Sequence, residues 1–355
     1  MKVFLYIPTL AAGGAEKQCS IVAAGLRREY GIDTSIILDY GDKIKDSNRA
    51  IVESDDVAII RLPRNKAMAI VTLWKLFYSN KDAVLFTYLS RPNFLGSLIG
   101  RLAGLKLIYS GIRSGWLPRG KLIAEKIVNR FLVTKTVFNS YRGMEHFVCL
   151  GFLSSRSIVI SNAIDIWEER NFAGNGLHRV RIVTVGRFTP EKDYHTWLLS
   201  IRKAIDYGAD IEAHIVGWGR EKENVRRWIY ELNLLDRVTI YPGDYDVKKL
   251  LFECDIYLST STSEGVSNSI LEAMDATLPI VATDVGDNNR MIENGRSGFL
   301  AKVGDVASLA RYIVNLSTNS DMRCRLGARA REILQERYSV KKVISQYRDL
   351  IQVEL

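Results

Sequence analysis

Histidine and cysteine are scarce in this chain, with only four of each among 355 residues. Cys19, Cys149, Cys254 and Cys324 form no C-x-x-C pair. This spacing argues against a disulfide framework or a zinc site and fits a reduced, intracellular setting. No repeat recurs at solenoid or propeller spacing, and no low-complexity tract suggests extended disorder. Long apolar runs are missing too. The longest, Phe94 to Ile112, is interrupted by Arg101 and Lys106 and falls short of a spanning helix. The opening run Met1–Pro8 meets a proline within eight residues and has no small-residue cleavage site. It reads as a first buried strand, not a signal peptide. Complete dinucleotide (G-x-G-x-x-G) and P-loop fingerprints are also lacking.

What the chain does hold is unevenly placed charge. Through Asp165 there are 23 Lys and Arg against 13 Asp and Glu; the remainder has 26 against 27. The whole basic excess of a chain with net charge +9 therefore lies in its first half. Such asymmetry points to an anionic partner, although a solvated basic surface accounts for it nearly as well. Nucleic acid is not expected, because no binding motif accompanies the charge.

Short β-branched runs alternate with amphipathic helical patterns. Strands are expected at 2–8, 33–39, 57–61, 83–88, 105–109, 135–138 and 157–160, then from Val180 and near 211–216, 237–241, 255–259 and 279–283. Near-continuous apolar strands separated by helices predict parallel sheets covered on both faces, hence an α/β, doubly wound fold. Residues 165–179 lose the apolar period and carry two glycines, which predicts a linker. The expected division is 1–165, a linker 166–179, a second domain 180–338, and a last helix 339–355 that packs back on the first domain. Ligands of such sheets bind beyond the carboxyl ends of the strands, in this case in a cleft between two facing domains.

Three motifs follow strands. Gly13-Gly14-Ala15-Glu16 opens a helix and suits either an anion at the helix N-terminus or a tight turn. Gly186-Arg187 through Glu191-Lys192 puts a guanidinium and an ammonium at a strand end, where they could neutralise a leaving diphosphate or simply be solvated. The third runs from Glu264 through Gly265, Val266, Ser267, Asn268 and Ser269 to Glu272. Glu264 precedes the glycine in the loop and Glu272 lies on the helix that follows; along a continuous helix eight positions would separate two acids by about 12 Å. That is too far for a retaining-glycosidase carboxyl pair, at roughly 5–5.5 Å, but suits the two ends of one long ligand. Gly217-Trp218-Gly219 is half a dinucleotide fingerprint, with Lys222 in place of the third glycine, and reads mainly as a strand-to-helix turn lining the cleft. His146 and His195 read as structural or solvated.

In order and spacing these motifs resemble glycosyltransferase family 4, whose members are retaining enzymes of the GT-B fold, two Rossmann-like domains across a cleft. Asn162-Ala163-Ile164-Asp165, Ala282 to Gly286 and Gly298-Phe299-Leu300 extend the likeness over nearly the whole chain. The resemblance implies that Glu272 holds the donor ribose, Glu264 the donor hexose, and Arg187 and Lys192 the diphosphate. Gly13, Gly14, Gly217, Gly265 and the N–H groups of Val266, Ser267, Asn268 and Ser269 would add donor contacts. It implies no metal ion and no cofactor beyond the nucleotide sugar, a UDP-hexose or UDP-N-acetylhexosamine before a GDP-sugar. The acceptor would be a glycan, lipid-linked, in surface polysaccharide assembly at the cytoplasmic membrane face. The chain departs from the family in four places, one being Ala163, which stands for the glycine of the family's Asn-Gly-x-Asp motif. Arg113 stands where many members have a histidine and is the candidate replacement, while Thr277 and Asp287 stand where glycines are usual.

Two other readings share the architecture: a sugar-nucleotide epimerase and an inactive sugar-nucleotide-binding subunit. Segment Arg61 to Lys81 combines Arg64, Lys66, Lys75 and Lys81 with Trp74, Phe77 and Tyr78. Like Trp116 to Lys135, it suits either an anionic membrane surface or a helix packed on the sheet with a basic outer face.

Overall fold

The computed structural model describes residues 1–11, 13–39, 44–167 and 179–352. Most of the expected linker, residues 168–178, therefore lies outside the described residues. The chain forms two compact units: Met1–Asp165 with the segment from Tyr338, and Ile166–Arg337. Each is a parallel sheet flanked by helices.

In the first unit, β1 (Lys2–Ile7), α1 (Gly14–Tyr30), β2 (Asp33–Leu38), α2 (Asp46–Ser54), β3 (Ala58–Arg61) and α3 (Lys66–Tyr78) are followed by β4 (Val84–Tyr88), α4 (Ser90–Ala103) and β5 (Leu107–Ile112). Then come α5 (Arg119–Ile127), β6 (Lys135–Phe138), α6 (Tyr141–Cys149) and β7 (Ser157–Val159). The sheet order is β3-β2-β1-β4-β5-β6-β7, so the winding direction reverses between β1 and β4. Strand periodicity shows why both faces must be covered. Val3, Leu5 and Ile7 of β1 join Val22, Ala23 and Leu26 of α1 on one face. Phe4 and Tyr6 join Leu73 and Phe77 of α3 and Ile99 of α4 on the other. Phe77 is thus a core residue, as the reading of this segment as a helix packed on the sheet requires. The helical periods in this half predict helices near 15–30, 66–79, 92–104, 120–131 and 140–150 and leave out α2: its nine residues bury only Asn48 and Val52, so its apolar stripe is faint.

The second unit runs β8 (Val180–Val185), α7 (Tyr194–Asp206), β9 (Ile211–Val216), α8 (Lys222–Glu231), β10 (Val238–Tyr241), α9 (Val247–Glu253) and β11 (Ile256–Ser259). It continues with α10 (Asn268–Asp275), β12 (Ile280–Thr283), α11 (Asn288–Met291), β13 (Gly298–Ala301), α12 (Val306–Thr318) and α13 (Ser320–Arg337). Its order is β10-β9-β8-β11-β12-β13, with the reversal between β8 and β11. Trp197 and Ile201 of α7 pack with Leu309 and Ile313 of α12 on Ile182, Ile211 and Ile215. A buried polar knot ties the start of this unit to its far end. Trp167 N–H donates to Asp275 (2.7 Å), and Arg331 donates to the Trp167 carbonyl (2.7 Å).

The last helix, α14 (Val340–Gln352), returns to the first unit, where Val343, Ile344, Tyr347 and Ile351 enter the β1–α1 core. A Cβ on Gly25 of α1 would collide with Ile344, so the two helices approach closely because α1 has a glycine there. No described helix is long and apolar enough to cross a membrane.

Thr277, in the turn between α10 and β12, has φ +60°. A β-branched residue is strained there, which explains the usual glycine. Thr277→Gly should therefore stabilise the protein by about 0.5–1 kcal/mol. A thermal melt in which the variant unfolds below wild type would contradict this.

Candidate active site

The second unit places its motifs side by side because its sheet reverses between β8 and β11, the kind of switch point at which doubly wound sheets open a gap beyond the strand ends. Arg187 to Lys192 follow β8 and Glu264 follows β11. Across this gap Lys192 Nζ meets Glu264 Oε1 in a largely buried ion pair, the two side chains being 19% and 13% exposed. Ser261 donates to the same carboxylate oxygen (2.8 Å). The loops are also joined through backbone: Thr262 N–H donates to the Glu191 carbonyl (2.8 Å), and Thr260 Oγ1 to that of Asp193 (2.9 Å). Arg187 is the more open cation, 62% exposed and 3.7 Å from Glu191. Although burial pushes the Glu191 carboxyl up, its own N–H, Thr189 and the charges of Arg187 and Lys192 leave it below the usual range.

Glu272 lies in the second turn of α10, which begins only at Asn268. The spacing of Glu264 and Glu272 is therefore part loop and part helix, and the continuous-helix estimate of their separation does not apply. Gly265, Val266 and Ser267 form the turn into that helix, with Ser267 as a cap residue that makes no side-chain capping bond. Ser267 and Ser269 instead share a hydroxyl contact of 3.1 Å. Beneath them is Tyr257, whose hydroxyl donates to the Val185 carbonyl (3.4 Å). Burial drives its phenol well above the ordinary value, opposed by hydrogen bonds with Ser269 and Val185 and reinforced by the charges of Glu264 and Glu272. A neutral phenol thus lies within the field of both acids.

Glycines let the backbone of neighbouring loops close up along this edge. A Cβ on Gly217 would strike the Gly186 carbonyl, and one on Gly286 (φ +56°) would strike the Glu264 carbonyl. Gly286 thus lets the loop after β12 press on the Glu264–Gly265 peptide, a supporting role that linear spacing did not reveal. Asp287 N–H donates to the Gly265 carbonyl (3.2 Å). The expectation that the sequence has no obvious Asp-x-Asp metal site overlooks Asp244-Tyr245-Asp246, which is such a pair. In the fold Asp246 caps α9 by accepting from Lys249 N–H (3.0 Å).

Three predicted residues belong to the first unit. Gly13 is the N-cap of α1 and Gly14 its first residue; a Cβ on Gly13 would collide with the Glu16 carboxylate. Arg113, just past β5, donates to Asn162 (3.2 Å) and to the Tyr347 hydroxyl of α14 (2.6 Å). Its guanidinium also lies over the Tyr88 ring, 5.4 Å from the centroid. Sequence reasoning missed a buried carboxyl in this unit, Glu125 of α5. Asn93 donates to it (2.9 Å) and to the Gly111 carbonyl (3.0 Å). Burial raises Glu125 from 4.5 to about 7, against lowering hydrogen bonds from Asn93 and Ser90.

Residues 165–333 match the family model for glycosyl transferases group 1. Among curated proteins the chain is 31% identical over 138 residues to N-acetyl-alpha-D-glucosaminyl L-malate synthase of Bacillus anthracis, covering 39% of this chain and 36% of that protein. The chain thus spans about a third of that relative's length. It is 22% identical over 306 residues to the UDP-Gal:alpha-D-GlcNAc-diphosphoundecaprenol alpha-1,3-galactosyltransferase of Escherichia coli, covering 79% and 78%. Among solved structures it resembles Anabaena HepE, crystallised with UDP, at a TM-score of 0.83 and 18% identity over 98% of this chain and 99% of that one. The fold is therefore GT-B, two parallel-sheet α/β domains.

Glu125 generates a pH prediction. Its folded pKa lies above its unfolded one, so between about 4.5 and 7 the folded chain binds more protons than the unfolded. Stability from this group is whole below pH 4.5, declines as pH rises to 7, and by pH 8 has lost about 3 kcal/mol. In urea titrations the stability of wild type relative to Glu125→Gln should fall by that amount between pH 4.5 and 8; a pH-independent difference would refute the burial argument.

Proposed function

We propose that the chain is a retaining glycosyltransferase of family 4 that moves a hexose or N-acetylhexosamine from a UDP-sugar, or less readily a GDP-sugar, to a glycan acceptor. The observation that carries this reading is the meeting of Lys192 and Glu264 across the β8–β11 reversal, with Arg187 open beside them. Breaking the anomeric carbon–phosphate oxygen bond leaves growing negative charge on the diphosphate. Arg187 and Lys192 are fixed cations that would offset it without a metal ion. Glu264, already gripped by Lys192 and Ser261, is held as an acceptor of hydrogen bonds from the donor hexose. Glu272 takes the ribose hydroxyls, while the N–H groups of Gly265 to Ser269 face the phosphates from the start of α10. Gly13, Gly14 and Arg113 keep the donor-side roles that the family resemblance gives them. The acceptor oxygen bonds to the anomeric carbon on the face the leaving group vacates, and its proton passes to a leaving phosphate oxygen.

The acceptor is assigned as a lipid-linked glycan of surface polysaccharide assembly, and the enzyme as peripheral to the cytoplasmic membrane face. The named activity of the E. coli relative, on a diphosphoundecaprenol-linked sugar, supports this. So does the outer surface of α3, where Met68, Val71, Trp74 and Tyr78 are exposed beside Lys66 and Lys75. α3 packs against α4, and α4 against α5, near which Ile123 and Phe131 are exposed among Arg119, Lys121, Lys126 and Arg130. Apolar anchors ringed by cations suit an anionic bilayer, each cation adding about 1 kcal/mol.

Two experiments test these assignments. In a nucleotide-release assay Arg187→Ala and Lys192→Ala should each lower kcat about 100-fold or more, and Glu272→Ala should weaken UDP binding about tenfold or more. Full activity in all three variants would sink the site. In liposome flotation the protein should float with anionic vesicles, and the double substitution Val71→Glu, Trp74→Glu should abolish this; flotation indifferent to lipid charge and to the substitutions would sink the membrane assignment.

A further inference from the structure

Trp218 has no part in the site as described. It follows β9, the strand next to β8 on the side away from β11, and its side chain is large, aromatic and 51% exposed. Single exposed aromatics are common on protein surfaces. This one differs in how firmly its surroundings hold it. Its carbonyl accepts from Phe188 N–H (2.7 Å), the residue directly after Arg187, and Glu221 N–H returns to the Phe188 carbonyl (3.1 Å). On either side, Cβ atoms on Gly217 and Gly219 would collide with the carbonyls of Gly186 and Phe188, and Gly219 has φ +147°. The indole itself lies against Gly243, after β10, so closely that a Cβ there would overlap the ring. Four loops, after β11, β8, β9 and β10, thus follow one another along the carboxyl edge in strand order. Successive strands are about 4.8 Å apart. The row leads from Glu264, through the cations, to an aromatic surface one strand further on.

Resting on the nucleotide-sugar reading, the geometry points to Trp218 as the platform on which the nucleobase of the donor stacks. A base attached through ribose to a diphosphate gripped at Arg187 is within reach of the neighbouring loop. Its π-face needs only a flat, rigid partner, whichever base it is. Gly243 backs the indole and keeps it from folding down onto the sheet edge. The binding energy of the base would therefore come largely from one side chain outside the residues that meet the reacting bond.

Calorimetry with UDP and with inorganic pyrophosphate tests this on wild type, Trp218→Ala and Trp218→Phe, each first checked for an unchanged thermal melt. The alanine variant should bind UDP about tenfold or more weakly and pyrophosphate as wild type does. Phenylalanine should restore UDP affinity to within about threefold and remove the quenching of tryptophan fluorescence that UDP causes in wild type. Equal UDP affinity in wild type and Trp218→Ala overturns the stacking role alone, as does parallel loss of UDP and pyrophosphate, which would mark a disturbed loop. A wild-type protein that binds neither UDP nor GDP overturns the nucleotide-sugar reading as well.

Discussion

Lys192 and Glu264 come from loops 72 residues apart in the chain, and their ion pair closes the gap that a doubly wound sheet opens between β8 and β11. The two side chains are mostly withdrawn from water, so neither is cheaply left alone: removing one partner of such a pair strands a desolvated charge. Around this contact the rest of the edge is organised. Ser261 shares the carboxylate, Thr260 and Thr262 tie the strand β11 loop to that of β8, and Gly286 admits the next loop. The consequence is a cation and an acid already positioned before any ligand arrives, which is the preorganisation that electrostatic catalysis requires.

The first unit uses its polar groups differently. Arg113 is bound to Asn162 and Tyr347, and it thereby links the end of β5, the segment after β7 and the returning helix α14. Gln18 of α1 makes the complementary tie, donating to the Ala163 carbonyl (2.8 Å) and accepting from its N–H (2.7 Å). These two bonds use two of Arg113's five N–H donors within its own unit, and its Nε is buried with no hydrogen-bond partner among the described residues. Arg113 holds α14 against the sheet, and its residue type at this position is thus explained by packing.

Much of the secondary structure was legible because β-branched runs and helical periods alternate cleanly, and core burial keeps that alternation. The exceptions have physical reasons. α2 and β13 carry weak patterns, the first because it is mostly exposed, the second because its four residues include a glycine whose Cβ would collide with Ile280. The interval from Glu264 to Glu272 reads from the sequence as a loop running into a helix, and so it folds; how the turn is held, by the Gly265–Asp287 contact and by Gly286, is decided by tertiary packing. Glu125 was invisible because it sits on a short helix full of charge, and nothing nearby in sequence says that Asn93 will enclose it.

By itself the sequence determined the α/β class, the recurrence of strand-end motifs and the kinds of side chain they bring, since these depend on local period and composition. Tertiary structure alone decided that Lys192 would meet Glu264, that Phe77 would turn inward while Trp74 faced out, and that Trp218 would rest on Gly243. Each is a juxtaposition of distant segments, set by strand order and by which face of a sheet or helix is buried. Local propensity does not encode that order; the packing of the whole unit does.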